Sequence, residues 1–105
     1  MQNKKLTSKQ KKYLKSFGHG LKPLIRVGKN MVGDSFINMM DKTLTKHELV
    51  KISVLSNVSE NKQEIQDMIE ARTNSVKVQS IGRMSLFFRQ NKEDSKFELP
   101  ASDSE

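Results

Sequence analysis

A chain of 105 residues, 34% of them apolar, suffices for a single domain with a modest core. The absence of cysteine excludes disulfides and thiolate chemistry and suits a cytoplasmic protein. The sequence contains no run of about 18 apolar residues, so no membrane-spanning helix is predicted. The net charge of +7 is uneven, because residues 1–51 hold twelve Lys and Arg against three Asp and Glu, so we expect a polyanionic partner.

The first predicted element is a helix that begins at a capping box. Thr7 and Gln10 are three residues apart, so the hydroxyl and the amide can each satisfy a backbone N–H group at the helix start. An apolar stripe recurs near helical spacing at Leu6, Tyr13, Leu14, Phe17 and Leu21. Lys12 and Lys15 fall on the other side of the helix, which we expect to point to solvent or to a partner.

A helix stop, a short strand and a turn are predicted next. Gly18 and Gly20 are expected to end the first helix, and residues 24–27, rich in branched side chains after a proline, predict a strand. Residues 28–33 form a turn, with Asp34 as the expected N-cap of a second helix. The buried face of that helix is spaced by Phe36, Ile37, Met40 and Leu44, and the helix is expected to end near His47.

The second half of the chain predicts three strands and one more helix. Alternation of apolar residues predicts a strand over 49–55, and Asn57 or Ser59 caps a third helix whose acidic face we place away from an anionic ligand. A strand from Val76 and a strand over 84–88 are joined by Gly82-Arg83, which suits a type II′ turn. Leu86 and Phe88 are expected on one face of the last strand and Phe87 on the other, where burial is favoured over stacking on a base.

The predicted element order is therefore α-β-α-β-α-β-β, in one compact domain over residues 1–100. The acidic residues 101–105 are expected to form a short disordered tail. Helical crossovers favour parallel strands, whereas the final hairpin must be antiparallel. We therefore predict an α/β fold with a mixed four-stranded sheet packed with helices, and these rules leave the strand order open.

The most informative stretch runs from Leu24 to Met31, where a short apolar run ends in Gly28, Lys29 and Asn30. Such a turn can bring bare backbone N–H groups, an ammonium and an amide to a phosphate. Together with nearby cations it defines the predicted contact residues, which are Lys12, Lys15, Lys22, Arg26, Gly28, Lys29, Asn30 and Met31.

Catalysis and metal binding are not predicted. His19 and His47 have no second ligand at metal spacing, and the chain contains no Walker loop, no H-E-x-x-H and no G-x-S-x-G motif. We therefore expect no catalytic residue, no metal and no cofactor, and a protein that acts by binding.

Several blocks of the sequence, in the same order, resemble the bacterial YhbY-like proteins, which are stand-alone forms of the CRM (chloroplast RNA splicing and ribosome maturation) domain. These blocks are residues 6–15, 19–23, 27–30, 47–52, 78–82, 86–89 and 97–100. The resemblance implies a compact α/β domain similar to the C-terminal domain of translation initiation factor three.

The resemblance also implies a function. Bacterial members of the family are associated with precursors of the large ribosomal subunit, and plant relatives with intron splicing. Their G-x-x-G loop is similar to the backbone-clamping loop of KH domains. The matching positions here are 28–31, where Met31 replaces the second glycine and places a Cβ and a thioether where a backbone would approach.

We therefore expect a monomeric, cytoplasmic RNA-binding protein that acts in ribosome biogenesis, on precursor RNA of the large subunit within a pre-ribosomal particle. An alternative from another class is a protein–protein adaptor whose basic face docks an acidic partner. The adaptor would depend on total lysine charge, whereas a backbone clamp requires Gly28 and small neighbouring residues.

Overall fold

The computed structural model describes residues 6–27, 33–54 and 62–100. Within these ranges the elements are α1 (Ser8–Gly18), β1 (Ile25–Val27), α2 (Asp34–His47), β2 (Leu49–Val54), α3 (Lys62–Thr73), β3 (Val76–Ile81) and β4 (Met84–Phe88). Their order is the predicted one. The expected caps at Asn57 and Ser59 and the expected tail at 101–105 lie outside the described residues.

The described strands form one mixed sheet in the order β1-β2-β4-β3, which confirms the predicted fold class. β1 is parallel to β2, while β4 is antiparallel to both β2 and β3. In the hairpin between β3 and β4, Gly82 has φ +57°, the positive φ that a type II′ turn requires at its first residue. The central strands β2 and β4 are thus far apart in sequence, which is why local patterns left the order open.

The larger part of the core lies on the face of the sheet covered by α2 and α3, here called the α2–α3 face. Its buried side chains are Ile25, Val27, Val50, Ile52, Val54 and Phe87 from the strands, Phe36, Ile37, Met40 and Leu44 from α2, and Ile65 and Ile69 from α3. Phe87 is fully buried there, as predicted. Buried Gln66 donates to the hydroxyls of Ser80 and Ser85 at 2.8 and 2.7 Å, which satisfies its amide group.

The opposite face, here called the α1 face, is covered only in part. Leu14 of α1 packs with Leu49, Val78, Leu86 and Phe88, and half-buried Leu6, Tyr13, Phe97 and Leu99 surround this smaller cluster. The ring of Phe97 contacts those of Phe17 and Phe88 edge to face, with centroids 5.4 and 5.5 Å apart. Residues near the C-terminus, for which the sequence predicted no regular structure, therefore pack beside α1.

The start of α1 confirms the predicted capping box, whereas the start of α2 corrects a prediction. The Thr7 and Gln10 side chains each accept from the backbone N–H of the other residue at 3.1 Å. The N-cap of α2 is Gly33 rather than Asp34, which is the first residue of the helix. The Asp34 carboxylate still lies near the positive end of the helix dipole and pairs with Arg72 at 3.0 Å.

The end of α1 lies at Gly18, as predicted, and Gly18 has a packing role in addition. Gly18 is the last residue of the helix, and His19 caps it with φ −61°, so no left-handed residue ends α1. Gly18 is buried instead, and a Cβ built there would lie 2.7 Å from Cδ2 of Leu86. The missing side chain allows the helix end to approach β4 closely.

Candidate nucleic-acid interface

The outer side of α1 carries two of the predicted contact residues. Leu14 is fully buried against the sheet, and the helical period therefore turns Lys12 toward solvent, where it is exposed. Lys15 lies in the last turn of the helix and is half-buried. Among the described residues, neither ammonium has an ion pair or hydrogen-bond partner, so both are available to an anion.

Two more predicted residues follow α1. Lys22 is exposed in the connection to β1. Ile25 and Val27 point into the core on the α2–α3 face, so the alternating residue between them, Arg26, lies on the α1 face, where it is exposed. Within the described parts of the chain, neither side chain has a carboxylate partner.

The other four predicted contact residues, Gly28, Lys29, Asn30 and Met31, lie outside the described residues. Their chain neighbours are described: Val27 ends β1 beside Val54 of β2, and Gly33 caps α2. The structure thus places Lys22, Arg26 and the two α1 lysines around one side of the sheet, and the segment 28–31 remains a prediction.

The α1 face is open beyond the C-terminal end of α1. A shallow concavity of about 180 Å³ lies there, lined by Gly18, His19, Lys51, Gln79, Ile81, Met84, Ser85 and Leu86, none of which is acidic. Ile81 and Met84 are paired in register across the hairpin and are 62% and 38% exposed. The concavity is smaller than the roughly 300–1,000 Å³ of typical small-molecule pockets, so it suits a surface contact better than an enclosed cofactor.

Lys51 is a residue of this surface that the sequence analysis did not select. Its neighbours Val50 and Ile52 belong to the core on the α2–α3 face, so Lys51 lies on the α1 face, half-buried at the concavity. Arg26 pairs in register with Ser53, two residues along β2 from Lys51. The alternation of β2 already indicated that Lys51 lies on the face opposite to Val50 and Ile52. Only the parallel register of β1 and β2 shows that Arg26 and Lys51 are diagonal neighbours on that face.

Several carboxylates of the described chain are engaged in the fold or lie away from the concavity. Asp41 pairs with Arg89 at 2.6 Å, and buried Glu48 accepts backbone N–H groups of the C-terminal segment. The acidic residues of α3 belong to a helix packed on the α2–α3 face; they are Glu64, Asp67 and Glu70. The concavity therefore has no acidic lining residue, whereas exposed Glu98 lies between Phe97 and Leu99, which pack beside α1.

Cations of the C-terminal half are mostly used inside the fold. Those with partners are Arg72 and Arg89 in ion pairs, Lys62 on the Gly82 carbonyl, Lys77 on the Gln66 amide and Lys96 on the Lys46 carbonyl. These structural charges contrast with Lys12, Lys15, Lys22 and Arg26, which have no ion pair among the described residues.

Two other kinds of site were searched for in the described ranges. No group of three or more His, Asp and Glu side chains there is placed to hold a metal ion. None of the helices found in those ranges has the length and apolar character needed to cross a membrane.

Comparison with known proteins places this architecture in a family. The probable RNA-binding protein YqeI of Bacillus subtilis is 38% identical over 95 residues, which cover 90% of this chain and 99% of that protein. The probable RNA-binding protein PA4753 of Pseudomonas aeruginosa is 35% identical over 91 residues, covering 87% and 88%. The solution structure of the hypothetical protein SAV1595 from Staphylococcus aureus superposes with a TM-score of 0.77 at 38% identity, covering 91% of this chain and all of that one.

The sequence pattern of one domain family spans most of the described fold. It matches residues 6–89, from the start of α1 to the residue after β4. Together with the relatives above, this match shows that the chain belongs to the CRS1 / YhbY (CRM) domain family.

Proposed function

We propose that this chain binds RNA through the α1 side of its sheet, without catalysis. The observation that carries the proposal is the set of cations on that side that have no acidic partner among the described residues: Lys12, Lys15, Lys22 and Arg26. The Bacillus and Pseudomonas relatives, each named a probable RNA-binding protein, support the same ligand.

The mechanism is electrostatic contact with the phosphate backbone. Lysine ammonium groups act as mobile point charges on phosphates, while the planar guanidinium of Arg26 can hold two phosphate oxygens at once. Each neutralised phosphate releases counterions, which gives affinity with little reading of sequence. Such a surface suits a protein that recognises the shape of an RNA backbone more than its base sequence.

The segment 28–31 completes the proposed contact. Gly28 offers a backbone without a Cβ and Lys29 an ammonium, and both follow directly on Arg26 and Val27 in the chain. We expect Gly28→Asp, which introduces an anion, to weaken RNA binding more than Lys29→Ala, which removes one charge. Met31→Gly, which restores the G-x-x-G pattern, should keep or raise the affinity. If Gly28→Asp and Lys29→Ala bind RNA equally at matched stability, the segment contributes only its charge to RNA binding.

The proposed biological role is assembly of the large ribosomal subunit in the cytoplasm. It rests on the resemblance to the bacterial YhbY-like proteins and on a surface that can act by binding RNA without catalysis. We propose that residues 1–100 act as one monomeric RNA-binding domain on precursor ribosomal RNA within a pre-ribosomal particle.

The test is cross-linking in cells, followed by sequencing of the attached RNA. Enrichment of large-subunit precursor over mature ribosomal RNA is the expected result, and the double variant Lys12→Ala/Lys15→Ala should lower the recovered amount. Recovery of abundant RNA in proportion to its concentration would contradict the ribosomal role. Recovery of acidic proteins without RNA would favour the adaptor function.

A further inference from the structure

We propose that the open half of the α1 face is a binding site for one nucleotide of a single-stranded RNA. In this site Lys51 and Arg26 hold phosphate oxygens, and the base lies on Ile81 and Met84. The inference rests on the proposed RNA binding and adds a site on the sheet itself, beyond α1 and the segment 28–31.

The first argument is the charge of Lys51. Its side chain is half-buried at the concavity, and among the described residues its ammonium has no ion pair or hydrogen-bond partner. A partly desolvated cation without an anion is costly, and attraction to an incoming phosphate is stronger there than in open solvent. None of the residues lining the concavity is acidic, so nothing in its wall competes for that phosphate.

The second argument is the apolar pair beside this charge. Ile81 and Met84 face each other at the last register position before the hairpin turn, and both line the concavity. They are 62% and 38% exposed, although two neighbouring residues of β4, Ser85 and Leu86, are buried. Large apolar side chains next to a free cation match the two parts of a nucleotide, a flat base and an anionic phosphate.

The third argument is the geometry of the surface. Arg26 on β1 and Lys51 on β2 are one strand and two residues apart, which corresponds to roughly 8 Å between their Cα atoms from ordinary sheet spacings. Gln79, on the far wall, carries an amide that can both donate to and accept from a base edge. The cations lie on β1 and β2, and the apolar pair lies on the other two strands, β4 and β3.

Occupancy by RNA is favoured over an acidic peptide by the apolar pair. An acidic peptide would use the lysine charge but has no flat apolar group to place on Ile81 and Met84. The concavity is shallow and small, which fits one unstacked base rather than a folded partner.

The test measures binding of a fluorescent single-stranded RNA of about twelve nucleotides, by anisotropy, with matched pairs of variants. Lys51→Gln is compared with Lys42→Gln, the same change of charge on the exposed side of α2, away from the α1 face. Met84→Ser is compared with Met39→Ser, a 45% exposed methionine on α2.

We expect Lys51→Gln to weaken binding about fivefold or more relative to Lys42→Gln, with a shallower salt dependence. Met84→Ser should weaken binding about threefold relative to Met39→Ser and leave the salt dependence unchanged. The same RNA carrying abasic sites should bind the wild type less tightly than intact RNA does. In Met84→Ser the two RNAs should bind with equal affinity. In NMR spectra, amide signals of Lys51, Gln79 and Ile81 should move on addition of RNA.

Three outcomes would overturn the inference. If the wild type binds RNA and both test variants match their controls, the sheet site is wrong while the proposed RNA binding stands. If an oligoglutamate peptide displaces the RNA and moves the same NMR signals, the site accepts acidic protein instead. If the wild type binds no RNA of any kind, the proposed function fails and the inference fails with it.

Discussion

Gly18 lies so close to Leu86 that a Cβ atom on the glycine would be 2.7 Å from the leucine Cδ2. Leu86 is 2% exposed and packs against Leu14, so a side chain at position 18 would have to displace Leu86 from this contact. We therefore expect Gly18→Val to lower the free energy of unfolding by about 1–3 kcal/mol, the usual cost of overpacking. A gain in helix propensity of a few tenths of a kcal/mol does not offset this cost.

Urea denaturation followed by circular dichroism measures the effect of Gly18→Val, and Gly20→Val is its control. A Cβ on Gly20 would meet no atom within 4 Å, so the control should change stability by less than about 0.5 kcal/mol. Equal stability of the two variants would mean that α1 does not need its close approach to β4.

The salt dependence of RNA binding tests the electrostatic mechanism. Lys12, Lys15, Lys22 and Arg26 have no ion pair among the described residues, so each phosphate they contact should add roughly 0.7 to the slope of log affinity against log salt for a single strand. Filter binding or anisotropy over a range of potassium chloride concentrations gives this slope. A slope near zero would exclude the mechanism.

The two α1 lysines should contribute to binding and not to folding. Lys12→Ala/Lys15→Ala removes charges that have no partner among the described residues, and substitutions of this kind usually change stability by less than about 0.5 kcal/mol. The matched control is Lys42→Ala/Lys46→Ala, which removes two exposed lysines from α2. We expect the first pair alone to weaken RNA binding, measured by anisotropy, and equal loss in both pairs would indicate that only total charge matters.

The buried carboxylate of Glu48 should be a structural anchor for the C-terminal segment. It accepts the backbone N–H groups of Asn91 at 2.7 Å and Lys96 at 2.5 Å, one on each oxygen, and the hydroxyl of Ser95 at 2.8 Å. Glu48→Gln turns one acceptor into a donor that faces another donor, so we expect a loss of about 1–3 kcal/mol in the free energy of unfolding.

Chemical denaturation measures this loss, and amide hydrogen exchange should show faster exchange at Asn91 and Lys96. Exposed Glu98→Gln provides the control, with an expected change in stability below about 0.5 kcal/mol. If the Glu48 variant behaves like this control, the C-terminal segment does not depend on the Glu48 carboxylate.

The features that sequence predicted best are those that depend on near neighbours. The capping box of α1 and the opposite faces of Leu86 and Phe87 follow from spacings of one to three residues, and the structure confirms them. The strand order and the packing of Phe97 beside α1 depend on contacts between distant parts of the chain, which periodicity does not encode.

The same distinction applies to the candidate site. The basic character of the first half of the chain was evident from composition. For Lys51, the sequence indicated only a polar residue in an alternating strand. Its diagonal position relative to Arg26 depends on the register between β1 and β2, and its pairing with Leu86 at the concavity depends on β4. Sequence therefore predicted the ligand class, while the open sheet face required the structure.

The position of β4 between β2 and β3 also governs when this chain can fold during its own synthesis. Leu49 of β2 pairs with Phe88, and Val50 pairs with Phe87, so one of the two central strands is the last of the described strands to be synthesised. Until then β2 has only the short β1 as a partner strand, and the side on which it pairs with β4 is open. Because such distant pairings close late, the nascent chain should acquire its sheet in a single step after translation has passed β4, and not helix by helix as it emerges.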